Sequence, residues 1–336
     1  MQSRDIALNN VGFMDVWSEV LNTRNATELP VLSVARVSVG IIVHNEEKNI
    51  LNLLRSVSGQ KLRGLVIDEV VVVSSGSEDK TNEFVSKHME KDSRVRLLIQ
   101  DAVEGKASAI NEFLKRTKNG IVVISSGDVI FDERTLQNLV SPMIKDERIG
   151  LTSARPVPIN NPRGFMGTVA EIHWRLHHTL ERHGETIAFR KSLMDHIPDG
   201  VSADEAYVEA VAHQRAFEAV QVSDSLVFNK GSENVTEFLN QIRRHYVGHL
   251  FIKTRFSYAV SSMTTKGLTK VAKELLRRVR ESPEKVGYVI GYVLLEALGR
   301  LLGIWDFYVK GRTYRVWHAA QTTKSLNSRD MPRSAG

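Results

Sequence analysis

Gly120-Ile121-Val122-Val123-Ile124-Ser125-Ser126-Gly127-Asp128-Val129-Ile130-Phe131 is an apolar run that stops at a small polar turn carrying one carboxylate and then resumes. Four apolar residues in a row before the turn mark a strand buried on both faces, the signature of a parallel sheet covered by helices. An open α/β sheet binds ligands where its strands end. Asp128 at such an exit is a candidate for a hard cation such as Mg²⁺ or Mn²⁺, which takes oxygen ligands together with substrate phosphates. An Asx-turn or a helix cap is the alternative use of an aspartate there.

Working outward, the same rhythm repeats. Val37 to Val43 is a strand ending at His44-Asn45-Glu46-Glu47, and Asn49 to Val57 is a helix with Ile50, Leu53, Leu54 and Val57 on one face. Asp68 to Val73, Arg94 to Gln100 and Ile121 to Ile124 are further strands, with helices over Asp79 to His88 and Lys106 to Thr117 between them. Strands alternating with helices at this spacing predict a mostly parallel, doubly wound sheet. Beyond a helix at Thr135 to Lys145, the pattern predicts strands at Ile149 to Arg155, Glu185 to Arg190 and Ala219 to Asn229, and helices at Gly167 to Arg182 and Asp204 to Gln214. From Val235 onward the chain is helical and basic. The expected domains are an extension over 1–35, a catalytic domain over 36–250 and a helical region over 251–336. Phe13, Val16, Trp17, Val20 and Leu21 give the extension one short amphipathic helix.

The 336 residues, 42% hydrophobic, suffice for a sizeable core. The absence of cysteine removes disulfides, thiolate nucleophiles and thiolate metal sites. A net charge of +6 favours anionic partners. The first ten residues lack a signal peptide's apolar stretch. No nucleic-acid module or stacking pattern accompanies the basic residues, so no nucleic-acid partner is expected.

Several residues have the right chemistry for a nucleotide-linked substrate. Ser74-Ser75-Gly76-Ser77-Glu78-Asp79 joins a buried strand to a helix, where free N–H groups meet a ligand or where Ser77 simply caps the helix. His44-Asn45-Glu46-Glu47 suits a base or ribose, or a polar turn. Asp204, opening a helix after the loop Pro198 to Ala203, offers a carboxylate for general-base chemistry. Gln241, Arg244 and His245 lie on neighbouring turns of one helix, and an arginine fork holds diphosphate oxygens. His173 and His177, at i and i+4, lack the glutamate of a zincin helix.

Taken together, residues 37 to 250 resemble the family 2 glycosyltransferases of the GT-A fold. His44-Asn45-Glu46-Glu47-Lys48-Asn49-Ile50 is similar to the family's YNEExNI, and Val72 to Thr81 to its VDDGSxDxT. Gly105-Lys106-Ala107 through Asn111 is similar to GKxxAxN, Ser126-Gly127-Asp128 to DxD, Asp204-Glu205 to ED/DD, and Gln241 to His245 to QxxRW. The resemblance implies a Rossmann-like GT-A domain followed by a helical extension. It places Asn45, Glu46, Ser75, Asp79 and Lys106 around a UDP-, GDP- or dTDP-linked sugar, and Asp128 on a Mg²⁺ or Mn²⁺ that bridges the diphosphate. It makes Asp204 the base of an inverting transfer, with Gln241, Arg244 and His245 at the leaving diphosphate. It puts an arginine of Gly184 to Arg190 towards the acceptor. The chain departs from the family at Ser126, Ser74, Ser75 and His245, where acids or an aromatic are usual, and Asn229 stands near a further metal-side ligand position. Loss of acids weakens metal binding, and a non-catalytic sugar-nucleotide-binding protein is the alternative.

In the tail, Leu268, Val271, Ala272, Leu275, Leu276 and Val279 recur at helical spacing beside Lys266, Lys270, Lys273, Arg277, Arg278 and Arg280. That is the pattern of an interfacial helix on an anionic membrane. Val286 to Trp305 is apolar but interrupted by Glu296 and Arg300, with Tyr288, Tyr292, Trp305 and Tyr308 as interface anchors. The expected location is the cytoplasm, peripherally on the inner face of the cell membrane, with a lipid-linked acceptor.

Overall fold

The computed structural model describes residues 34–316 and 320–326. Residues 1–34 form a unit apart from 35–336, and the expected helix around Phe13 to Leu21 lies outside the described residues. In the second unit, four parallel strands come first: β1 (Ala35–Val43), β2 (Leu65–Ser75), β3 (Val95–Gln100) and β4 (Ile121–Ser126). Val37 to Val43 are buried without a break because helices cover both faces. Alternate β1 residues serve opposite sides. Val37, Val39 and Ile41 pack with α1 (Ile50–Ser58), α2 (Thr81–Met89) and α4 (Thr135–Lys145), while Ile42 faces α3 (Lys106–Arg116). The ring of Phe113 from α3 occupies the space where a Cβ at Gly40 would stand, so this glycine sets how closely helix and strand approach.

Four further strands complete an eight-stranded sheet in the order β3-β2-β1-β4-β7-β6-β8-β5: β5 (Val129–Phe131), β6 (Ile149–Pro158), β7 (Thr186–Arg190) and β8 (Glu218–Asn229). Here the sheet is mixed. β7 runs antiparallel to β4 and β6, β5 runs antiparallel to β8, and β6 and β8 are parallel. The antiparallel pairings exceed what a doubly wound reading predicts. The sign of a pairing depends on where the connecting segments α5 (Phe165–Thr179) and α6 (Asp204–Gln214) deliver the chain, which strand composition does not encode.

Because β1, β2 and β4 are parallel and in register, with Val43 opposite Ser74 and Ile42 opposite Ser126, their exit turns share one edge. α7 (Val235–Phe256), capped by the Asn234 side chain accepting from the Glu237 N–H, runs straight through the expected boundary at 250. α8 (Thr265–Glu281) and α9 (Val286–Ile304) pack with α5 and α7 in a third core cluster that includes Ile172, Leu176, Phe238, Ile242 and Tyr292. α9 meets α7 through Gly299 against Ile242 and Gly303 against the Arg243 carbonyl and Tyr246. Arg243 is thereby drawn into an ion pair with the buried Asp306, beyond the end of α9.

Candidate active site

The exit loops are first tied to one another. Asn45, in the left-handed region at φ 54°, accepts from the Glu78 N–H at 2.8 Å, and its own N–H donates to Ser77 Oγ at 3.0 Å. Asp79 accepts from the N–H groups of Glu47 (3.0 Å) and Thr81 (2.9 Å). Burial works against ionisation of Asp79, but these bonds and the Thr81 hydroxyl outweigh it and hold its carboxyl below the usual range. Neither Asn45 nor Asp79 lines the two cavities described below. In this structure their side chains tie together the loops that do. Ser77 is likewise no helix cap, because α2 starts only at Thr81 and the Ser77 hydroxyl is spent on Asn45 and Ser74.

Glu46 and Ser75 do face a cleft of about 90 Å³, together with His44, Lys106, Gly127 and Asp128. A Cβ at Gly127 would collide with Glu46, so glycine is needed to bring Asp128 alongside. Burial, and then the Asp128 charge, push Glu46 up to about 8. The same two causes push Glu185, just before β7, up to about 8. Lys324 crosses to this edge from the far end of the chain. Its Nζ lies 3.0 Å from Glu46 Oε1 and donates to the carbonyls of His44 and Asn45. Thr323 Oγ1 stands 3.5 Å from Asp128 Oδ2.

The second group of residues lines an adjoining cavity of about 480 Å³ that shares Lys106, Ser126 and Asp128 with the first. Lys106 opens α3 after Gly105, whose φ is 96°. Its Nζ lies 3.0 Å from Asp204 Oδ2 and 2.6 Å from Glu205 Oε1. Lys106, expected near the donor, lines both cavities and is paired here with the two acids. Burial and the neighbouring Glu205 charge raise Asp204 to about 7 despite Lys106. Glu205 goes the other way: burial opposes it, but the lysine contact prevails and lowers it. One acid of the pair is thus fixed as a counter-ion and the other is poised to exchange a proton near neutrality.

On α7, Gln241, Arg244 and His245 all face this cavity. Burial lowers Arg244 to about 10, which leaves it charged at neutral pH, and its Nη2 is 3.0 Å from His245 Nε2. Gln241 Oε1 accepts from Ser232 Oγ at 3.2 Å. Arg190, expected towards the acceptor, instead latches the carbonyls of Met143, Asp146 and Ile149 at the far end of β7. Arg182, upstream of that segment, lines the cavity together with Arg244. Sequence reasoning also missed Glu185 and Lys324. Glu185 sits at a left-handed position, φ 55°, in a segment that had been quoted without singling it out. Nothing local marks Lys324, whose bonded partner His44 is 280 positions away.

Among the described residues no three His, Asp or Glu side chains are grouped to hold a metal. The histidines of α5 form no such group. The donors around Asp128 nevertheless suit Mg²⁺ or Mn²⁺ in the manner of a site completed by substrate phosphates. Val129 is paired with Asn229, which lines the cavity with Asp128, and the Asn229 Oδ1 is buried without a hydrogen-bond partner. One carboxylate and one unclaimed amide oxygen are available, and nearby Glu46 and Glu185 show that the spot is rich in negative charge.

Residues 38–198 match the model of glycosyl transferase family 2. Over that stretch, just under half of the chain, it is similar to the family 2 glycosyltransferases. It is similar to the poly-beta-1,6-N-acetyl-D-glucosamine synthase of Staphylococcus aureus (strain COL), 24% identical over 131 residues, which are 39% of this chain and 31% of that protein. It is also similar to the probable glycosyltransferase YdaM of Bacillus subtilis (strain 168), 24% identical over 186 residues, 51% of this chain and 43% of that one. The matched stretch therefore spans less than half the length of either relative. The fold of the glycosyltransferase domain and its helical extension is similar to that of a mannosyltransferase from Pyrobaculum calidifontis in complex with GDP-Man and Mn²⁺. The TM-score is 0.60 at 20% identity, over 89% of this chain and 95% of that one.

Proposed function

We propose that this chain is an inverting glycosyltransferase that moves a sugar from a nucleotide sugar to a hydroxyl or phosphate acceptor of the cell envelope. The observation that carries this reading is the state of Asp204: a carboxyl raised to about 7 in the cavity that also holds Asp128 and Arg244. A base that is to act at neutral pH needs a pKa near 7. In the proposed step Asp204 takes the proton from an acceptor hydroxyl or from the P–OH of a phosphate monoester, the acceptor oxygen bonds to the anomeric carbon, and the bond to the diphosphate breaks on the opposite side. Configuration inverts because the displacement is single. Arg244 and Gln241 hold the leaving diphosphate, and Arg244 gains most where negative charge develops. Asp128 and Asn229 would hold Mg²⁺ or Mn²⁺, which neutralises diphosphate charge. Glu46 and Ser75 border the nucleotide.

The tail supports work at the inner face of a membrane. Residues 283–309 form one helical stretch long and apolar enough to cross a membrane by length and composition. α9 is nevertheless packed along one side, while Ile290, Leu294, Leu301 and Trp305 are exposed on the other. Next to it, α8 exposes Leu268 and Leu276 among Lys266, Lys273 and Arg277. Arg278 departs from the expected interfacial set, because it is buried in an ion pair with Glu171 of α5. A lipid-linked acceptor fits such a surface.

Asp204→Asn tests the reading: turnover of the wild-type donor falls by about 10³-fold while donor binding persists. In the wild type, kcat/KM rises as pH passes upward through about 7, because the base works only when ionised. Turnover unaffected by Asp204→Asn removes the base assignment. Donor binding without any turnover in the wild type supports the second reading, a binding protein, which Ser126 in place of an acid favours.

A further inference from the structure

Arg182 is a half-buried cation with no carboxylate within 4.0 Å among the described residues. Its Nη2 lies 3.4 Å from His249 Nε2. Of the acids whose charge reaches it, Glu296 binds Arg300 at 2.7 Å through Oε1 and leaves Oε2 without a hydrogen-bond partner, and Glu209 accepts from the Tyr258 hydroxyl at 2.8 Å. Around Arg182 the same cavity is lined by His173 and His177, 9% and 5% exposed, and the Nδ1 of each is buried without a partner. Burial and the Arg182 charge keep these imidazoles neutral. A guanidinium without an ion pair and ring nitrogens without a partner are each costly to keep. The guanidinium on the cavity wall is a counter-charge for an anion, with the two histidines beside it.

The donor diphosphate is already provided for at the other end by Arg244 and Asp128, so this is a second anion. Building on the glycosyltransferase reading, we propose that the inner end of the cavity binds a phosphate group of the acceptor, with Arg182 as its counter-charge and His173 and His177 as added hydrogen-bond partners. A phosphomonoester fits the guanidinium fork. The group could belong to a prenyl phosphate or to a soluble sugar phosphate. The charges of Glu296 and Arg300 on α9 reach Arg182, while Leu294 and Leu301 of the same helix are exposed, so an apolar surface belongs to the element next to the phosphate site.

The test uses the full chain and four probes: farnesyl phosphate, farnesol, glucose 1-phosphate and glucose. Calorimetry without donor is expected to show binding of one or both phosphates at least tenfold tighter than that of the matching alcohol. Binding of farnesyl phosphate alone identifies the lipid as source, and binding of both identifies the phosphate as the sufficient element. Arg182→Met should weaken phosphate binding at least tenfold while nucleotide affinity changes much less, and Arg182→Lys should retain part of it. Thermal unfolding separates this from a structural role. Removing a half-buried charge that has no ion pair should raise the midpoint of the ligand-free protein by about 2 °C, and farnesyl phosphate or glucose 1-phosphate should raise the wild type but not the variant. Equal binding of phosphates and alcohols, or a midpoint lowered by Arg182→Met, overturns the proposal. These readouts need no turnover, so phosphate binding that persists when no nucleotide sugar is consumed refutes the enzyme reading and leaves the anion site standing.

Discussion

At the strand exits, Glu46, Asp128 and Glu185 crowd together, and two of them are pushed up to about 8. At the inner end of the cavity, Arg182 sits among histidines held neutral, with no carboxylate in ion-pair range among the described residues. One end is short of positive charge and the other of negative charge. Asp204 and Lys106 belong to the cavity that joins them, and burial with the Glu205 charge poises the Asp204 carboxyl near 7 despite the lysine. The contrast teaches that the two ends are built for different ligands: a diphosphate with its cation at one, an anion alone at the other.

Asp128→Asn attacks the acidic end and carries the largest expected effect on that comparison. It removes the one carboxylate aimed at the cation, so Mn²⁺-dependent turnover should fall by about 10²-fold or more, and Glu46 and Glu185 should titrate closer to the ordinary range. Metal titration of donor turnover and NMR titration of the glutamates check this. If the metal response is unchanged, the acidic end is not a cation site.

Lys324→Ala sharpens the same end. Lys324 and Glu46 are both about 95% buried, and breaking such a pair by removing one partner costs about 3–5 kcal/mol. Glu46 carries a raised pKa, so it is protonated at low pH and the loss is then small. As pH rises through about 8 the wild type keeps an ionised pair, whereas the variant must bury a lone carboxylate, so the stability gap widens. Denaturant midpoints at pH 6 and pH 9 measure it, and a pH-independent gap would show that Glu46 is not the partner that matters.

The smallest effect concerns the outer surface. Leu294→Glu with Leu301→Glu alters only exposed side chains of α9, so stability should change by less than about 0.5 kcal/mol. Co-sedimentation with anionic liposomes should drop severalfold. Equal partitioning would detach the membrane from the account.

What the sequence discloses and what it hides follows the same division. The parallel half of the sheet was legible because strands buried on both faces must be apolar throughout, and because Ile50, Leu53, Leu54 and Val57 repeat at helical spacing. Asp128, Asp204 and Arg244 were legible because each ends a strand or stands on a helix within an ordered set of short motifs. The scaffold roles of Asn45 and Asp79 were not, since a side chain that ties two loops and one that touches a ligand have the same composition. The ion pairs of Lys106 were hidden for a related reason: its acids lie about a hundred positions away, and only the folded sheet brings them within 3.0 Å. Arg182 lies just past a histidine-laden helix and reads as a solvated charge until α7 closes the cavity beside it.

The central claim is that this cavity transfers a sugar from a nucleotide sugar. The most direct measurement is NMR of the anomeric proton during incubation of the full chain with UDP-, GDP- and dTDP-sugars, with and without Mn²⁺, in the presence of farnesyl phosphate. The account predicts Mn²⁺-dependent consumption of one donor and a product of inverted anomeric configuration. No consumption of any donor, or a product that retains configuration, would contradict it.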